Sequence, residues 1–153
     1  MALHRAAFGE DYEADLVAGL EADSLVVASL VSLEYGEVVG HSLFSDLSVE
    51  VEGRPIRAVS LAPMAVRPDR QRRGIGSVLV EKGLELVRDR ERTAVIVLGS
   101  VHYYSRFGFS SELARKLFAP FKGEASMALE LVSGALAGKS GSVGYPAAFR
   151  IGE

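Results

Sequence analysis

Apolar and polar positions along the chain switch between alternation and helical spacing, and each switch marks an element. Asp11 to Leu20 (DYEADLVAGL) sets Tyr12, Leu16 and Leu20 four apart with acidic residues early, which predicts an amphipathic helix with Asp11 as its N-cap. Leu25 to Glu34 reads as a strand, Tyr35-Gly36-Glu37 as a turn, and Val38 to Val51 as a second strand long enough to bend. Glu52-Gly53-Arg54 turns the chain into a third strand, almost wholly apolar from Val59, and these three are expected to be hairpin-connected and antiparallel. That strand ends at Val66, because Pro68 lacks an N–H and pushes Arg67 away from helical geometry. From Ile75 the spacing turns helical. Ile75, Val78, Leu79, Gly83 and Leu86 form a stripe flanked by Val80, Leu84 and Val87, with Ser77, Glu81, Glu85 and Arg88 left for solvent. Thr93 to Leu98 (TAVIVL) is the apolar run of a parallel strand buried on both faces. Beyond Phe109 the pattern weakens: Ala125 to Val132 predicts a strand, Ser133 to Gly144 a Gly- and Ser-rich loop, and Tyr145 to Ile151 a final strand. With no internal repeat and no boundary, residues 1–153 are expected to form one domain.

The chemistry concentrates between the third strand and the long helix, in Gln71-Arg72-Arg73-Gly74-Ile75-Gly76. Two glycines allow a tight turn and close approach of a ligand to the backbone. The unpaired N–H groups of the first helical turn, with the helix dipole, then offer an anion site. A nucleotide P-loop needs a Lys after the second glycine, and none follows Gly76. A dinucleotide fingerprint needs a third small residue where Leu79 stands. A nucleotide-binding α/β domain is therefore disfavoured.

Composition narrows the field. The chain has no cysteine, which removes disulfides, thiol nucleophiles and thiolate metal sites; three scattered histidines make a zinc site unexpected, so no metal is assigned. The net charge of −3 supplies no basic field for nucleic acid. The local cluster Arg67, Arg70, Arg72 and Arg73 suits a phosphorylated cofactor instead. Mean hydropathy is +0.20, but no apolar run approaches the roughly 18 residues of a membrane span. MALHRAAF lacks the features of a secretory signal, and a cytoplasmic location is expected.

The loop pattern, Gln/Arg-x-x-Gly-x-Gly after a strand and opening a helix, resembles the coenzyme A pyrophosphate loop of the GCN5-related N-acetyltransferase (GNAT) family. The TAVIVL strand followed by HYYSRFGF adds that family's Tyr-x-x-x-Gly-Phe signature as Tyr104, Gly108 and Phe109, at about the family's distance from the glycine loop. The resemblance covers roughly Leu25 to Phe109 and is nearest the small YhbS-like branch. It implies an α/β (α+β) fold with a mixed, mostly antiparallel central sheet flanked by helices, acyl-CoA N-acyltransferase-like. It also implies a first strand ahead of the Asp11 helix, which is missing or truncated in this chain. The edge so exposed invites pairing with a second copy, and either a homodimer or a somewhat unstable monomer is expected.

The function so implied is transfer of an acetyl group from acetyl-CoA to a primary amine; the alternative is a non-catalytic coenzyme A-binding sensor or partner module. The resemblance assigns cofactor binding to Met64, Ala65, Val66, Gln71, Arg72, Arg73, Gly74, Ile75, Gly76 and Ser77. Met64 to Val66 would pair with the pantetheine arm and polarise the thioester carbonyl through a backbone amide, which Pro63 cannot supply. Tyr104 is the expected general acid, and Tyr103 is expected to face core or cofactor wall. The base that must deprotonate the amine is open among Glu34, His41, Asp46 and Glu50, while His102 reads as a solvent-facing residue at a helix start. The acceptor is expected between the Asp11–Leu20 helix and the Gly-rich tail.

Overall fold

The computed structural model describes residues 12–119 and 126–149. The elements in order are α1 (Tyr12–Ala22), β1 (Val26–Glu34), β2 (Glu37–Val51), β3 (Arg54–Val66), α2 (Ile75–Asp89), β4 (Ala94–Leu98), α3 (Val101–Tyr104), α4 (Ser111–Arg115), β5 (Leu117–Phe118), β6 (Ser126–Glu130) and β7 (Gly141–Gly144). The expected N-cap Asp11, the first strand ahead of it, Ala125 and Ile151 lie outside the described residues.

β2 is the spine. Its first half pairs with β1 on the outer side, from Ser45 back to Glu37, and its last four residues pair with β7. Along its other side it pairs antiparallel with β3 over nearly its whole length. β4 joins β3 in parallel, β6 joins β4 antiparallel, and β5 lies parallel to β7. The order is β5-β7-β2-β3-β4-β6 with β1 beside the other end of β2, so the sheet is mixed and mostly antiparallel, as expected.

Even-numbered residues of β2 face α2. Ser42 Oγ donates to Leu79 O, and Phe44, wholly buried, lies under Gly83. On the opposite face Leu43 packs with Leu16, Val17 and Leu20 of α1 and with Phe149, while Leu47, Val49 and Val51 join a separate core with Ile56, Ile96, Leu117 and Val143. The α2 face closes a core of Ala28, Phe44, Val59, Leu61, Val80, Val87, Val95 and Val97 that also takes in Tyr104 and Phe109.

Three expectations are corrected. Val78 is 55% exposed rather than part of the apolar stripe. At 100° per residue it sits about 150° round the helix from the centre of the buried set Leu79, Val80, Gly83 and Val87. Within the expected loop Ser133 to Gly144, residues Gly141–Gly144 form a strand, because residues 48–51 of β2 give this glycine-rich segment a ladder its own propensity would not. The expected final strand from Tyr145 is instead a 3₁₀ turn, Ala147–Phe149, whose Phe149 plugs the α1 side of the core.

Candidate active site: a cleft at the mouth of α2

β3 and β4 pair only from Ala58 to Ser60 and from Ala94 to Ile96. Beyond that point β3 runs on along β2 to Val66, where Gly40 is its partner, while β4 ends at Leu98. On the β4 side, Met64 to Val66 have no ladder partner among the described residues. Their backbone polar groups face an opening instead of a strand.

The mouth of α2 meets that opening. Pro68–Arg70 make one 3₁₀ turn, Gln71 Nε2 donates to Val66 O at 3.2 Å, and Arg72 (φ 65°) and Gly74 (φ 81°) reverse the backbone with left-handed conformations. Gly74 is the N-cap and has no side chain to fill the first turn, so the leading amides of this 15-residue helix remain for a ligand. Two arginines brace the loop. Arg70 binds Glu34 and Asp69, both at 3.0 Å, and Arg67 binds Glu37 at 3.0 Å and Asp69 at 2.7 Å, tying the turn to the β1–β2 hairpin. The Arg67 guanidinium holds the Asp69 carboxyl below the ordinary carboxylate range.

The resulting cleft has a volume of about 570 Å³. It gathers Met64, Ala65, Val66, Gln71, Arg72, Gly74, Ile75, Gly76 and Ser77, which is every expected cofactor residue except Arg73. Arg73 is exposed on the turn and does not line the cleft. Tyr103 forms part of the wall, one of the two places expected for it, as does Arg70 of the expected arginine cluster, and Arg106 joins them without having been anticipated from the sequence. Tyr103 reaches the wall because Gly76 makes room: a Cβ at Gly76 would lie 2.7 Å from the Tyr103 hydroxyl. Arg106 stacks on the Tyr103 ring at 4.4 Å and donates from Nε to Tyr103 O. The aromatic run Tyr103-Tyr104 with Arg106 one turn on was the available signal, although not which ring faces the cleft.

Tyr104 does not line the cleft. It is buried in the α2-side core with its ring against Gly99, where a Cβ would come within 2.7 Å of Cε2, and edge-on to Tyr103 and Phe109. That places it at the end of β4, beside the divergence from β3. Burial, with the neighbouring Tyr103, pushes its pKa up to about 12. Of the residues considered for the base, Glu34 is engaged by Arg70. Asp46 receives both Nε and Nη2 of Arg92, and Glu50 lies opposite Pro55, at the far end of β2. His41 is buried, and its Nε2 lies 3.0 Å from Ser29 Oγ. His102 is exposed, as expected.

A family model described as an acetyltransferase (GNAT) domain matches residues 1–111. The Escherichia coli protein YhbS, described as an uncharacterized N-acetyltransferase, is 35% identical over 147 residues, spanning 94% of this chain and 87% of its own. The crystal structure of E. coli YhbS in complex with CoA superposes with a TM-score of 0.88 at 34% identity, over 99% of this chain and 85% of that one. A GNAT acetyltransferase from Brucella melitensis in complex with acetyl-CoA superposes with a TM-score of 0.78 at 31% identity, over 97% of this chain and 88% of that one. The chain therefore belongs to the GNAT acetyltransferase family and shares its acyl-CoA N-acyltransferase-like fold.

Proposed function

We propose that the protein transfers the acetyl group of acetyl-CoA to a primary amine, with the cofactor seated in the cleft between the free edge of β3 and the mouth of α2. One observation carries this reading: backbone groups of Met64 to Val66 and the first amides of α2 open into the same cleft. The amides around Gly74 to Ser77 bind the diphosphate, at roughly 1.5–3 kcal/mol for each hydrogen bond to a charged group. Arg72 and Arg106 add positive charge, whereas Arg70 is already neutralised by Glu34 and Asp69. The extended amides of Met64 to Val66 hold the pantetheine arm and polarise the thioester carbonyl. The complexes of relatives with CoA and with acetyl-CoA support the choice of cofactor.

Calorimetry with CoA, acetyl-CoA, NAD and ATP tests the first half. Binding of the coenzyme A species alone is the expected result, and binding of ATP or NAD in their place would overturn the reading. Thiol release from acetyl-CoA with ethanolamine, spermidine, kanamycin and a short peptide tests the second half. The protein has no cysteine, so a thiol reagent reads the product without background.

Tyr104, whose ring meets Tyr103 edge-on behind the cleft wall, is proposed to turn its hydroxyl from the core to the departing sulfur as a hydrogen-bond donor. With its pKa near 12, full proton transfer to a thiolate of pKa ~8.5 is uphill by about 5 kcal/mol, so the phenol acts chiefly as a donor that stays protonated. Tyr104→Phe is expected to lower kcat about 10- to 100-fold with CoA affinity unchanged. Because the hydroxyl keeps its proton up to about pH 12, Tyr104 contributes no loss of kcat near pH 10. Equal kcat in the two proteins would remove it from the mechanism.

The outer edge of β1 pairs with no strand among the described residues, and Val31, Leu33 and Tyr35 are exposed beside it. Two copies joined along this edge form the proposed homodimer. Light scattering should give twice the chain mass, and Leu33→Lys should return it to the monomer value.

A further inference from the structure

The β1–β2 hairpin closes with two acids face to face: Glu34 and Glu37 are direct partners in its ladder. Like charges so opposed destabilise a strand pair. Each is answered by an arginine from the cofactor turn. Arg70, 36 residues from Glu34, donates from Nε to Glu34 Oε2 at 3.0 Å. Arg67, 30 residues from Glu37, donates from Nη1 to Glu37 Oε2 at 3.0 Å. Both arginines also bind Asp69, which stands between them. A hairpin end with this charge pattern is a socket for the 3₁₀ turn Pro68–Arg70, the segment that leads into the mouth of α2.

The two ties are unequal. The Glu37 side chain is 74% exposed, so its pair with Arg67 is screened and contributes little. The Arg70 and Glu34 side chains are only 24% and 33% exposed, and Arg70 lines the cleft. Two residues further on, Arg72 holds a left-handed backbone (φ 65°), which a residue other than glycine keeps only where its surroundings fix it. We propose that Glu34 is a positioning residue for the cofactor: through Arg70 it holds the turn in the shape that presents the first amides of α2 to a diphosphate. This rests on the acetyl-CoA reading above, and it goes beyond that reading by making cofactor affinity depend on a carboxylate that does not itself line the cleft.

The sign of the effect separates this role from plain electrostatics. A carboxylate one guanidinium away from the cleft repels a polyanion, so by charge alone its removal tightens CoA binding, the more so because Arg70 is then free to turn to a phosphate. Positioning gives the opposite result. An unbraced turn samples shapes in which the amides of Gly74 to Ser77 do not converge, and ordering it on binding costs affinity. Asp69 cannot take over from Glu34, because it belongs to the same turn and moves with it.

The test is calorimetry with CoA on the wild type, Glu34→Ala, Arg70→Ala and the double variant. Glu34→Ala should weaken binding about 5-fold, the upper end for an ion pair near the surface. Unchanged or tighter binding overturns the proposal. In the Arg70→Ala background the same exchange should weaken nothing, because the tie is already cut; a loss as large as in the wild-type background means that Glu34 acts without Arg70, and also overturns it. Should Glu34→Ala disturb the hairpin, Glu34→Gln decides, since it keeps the length and one acceptor for Arg70 Nε. It should bind CoA somewhat more weakly than wild type, and tighter binding overturns the proposal. Amide exchange in the unbound protein reads the turn directly. The Arg70 N–H, which donates to Arg67 O at 2.9 Å, should exchange several-fold faster in Glu34→Ala while the amides of the β2–β3 ladder keep their wild-type rates. An unchanged Arg70 rate overturns the brace. Wild-type protein that gives no heat with CoA defeats the cofactor reading itself, whereas equal binding by wild type and Glu34→Ala defeats the brace alone.

Discussion

Gly76→Val is expected to leave the protein folded and to weaken coenzyme A binding by at least about 100-fold. Gly76 is the second residue of α2, where a side chain gains a little helix propensity over glycine and meets the half-buried groups that line the cleft. A Cβ there would stand 2.7 Å from the Tyr103 hydroxyl and 3.7 Å from both Met64 Cε and Val66 Cγ2, and a branched side chain would fill the space between β3 and the aromatic wall. A phosphate oxygen must come within ~2.9 Å of an amide nitrogen to bond to it, and valine at this point holds it off. Losing two hydrogen bonds of ~1.5–3 kcal/mol gives the expected factor. Calorimetry with CoA measures it, and circular dichroism confirms the fold. Gly76→Ala should weaken binding less, because the Tyr103 hydroxyl lies at the end of a side chain that can swing aside, and Tyr103→Phe beside it should recover part of the loss. Wild-type affinity in Gly76→Val would mean that the diphosphate is held somewhere other than the mouth of α2.

What was legible in the sequence was whatever the backbone itself demands. Pro68 ends a strand wherever it occurs, and the glycines at 74 and 76 are needed for a left-handed turn and a close approach, so strand, loop and helix could be placed to within a residue or two. The β1–β2 and β2–β3 turns are legible for the same reason, with Gly36 and Gly53 at φ near 79° and 78°. Features that depend on distant partners were not legible. β7 reads GSVG, and only the ladder to β2 makes it a strand. The charges that brace the cofactor loop are 36 residues apart in Glu34 and Arg70, and nothing local couples them. Tyr103 and Tyr104 are adjacent on one short helix turn, so spacing matches Tyr104 to the signature without telling which ring reaches the cleft.

Gly83→Ala should destabilise the fold, against the usual effect of that exchange in a helix. In an exposed helix interior, alanine is favoured over glycine by ~1 kcal/mol. Here a Cβ would lie 2.0 Å from Cε1 and 2.4 Å from Cζ of Phe44, a ring with no exposed surface at the centre of the α2-side core. The ring shares a core with Val59, Leu61, Val80 and Val95 and has no exposed side to swing into, so the helix is expected to lift from the sheet. Overpacking of this kind costs ~1–3 kcal/mol and sometimes more; about 3 kcal/mol net of propensity is expected here, or a fall in Tm of roughly 6–12 °C for a domain of this size. Lifting α2 also moves its mouth away from β3, so CoA affinity should fall in the same variant while Gly76 itself is intact. Phe44→Leu gives the diagnostic partner. Alone it loses buried contacts, but combined with Gly83→Ala it relieves the clash, and the double variant should be more stable than the two single losses added together. Chemical denaturation of the four proteins reads the coupling directly. A Gly83→Ala protein as stable as wild type would show that the helix seats on the sheet without needing a bare backbone above Phe44.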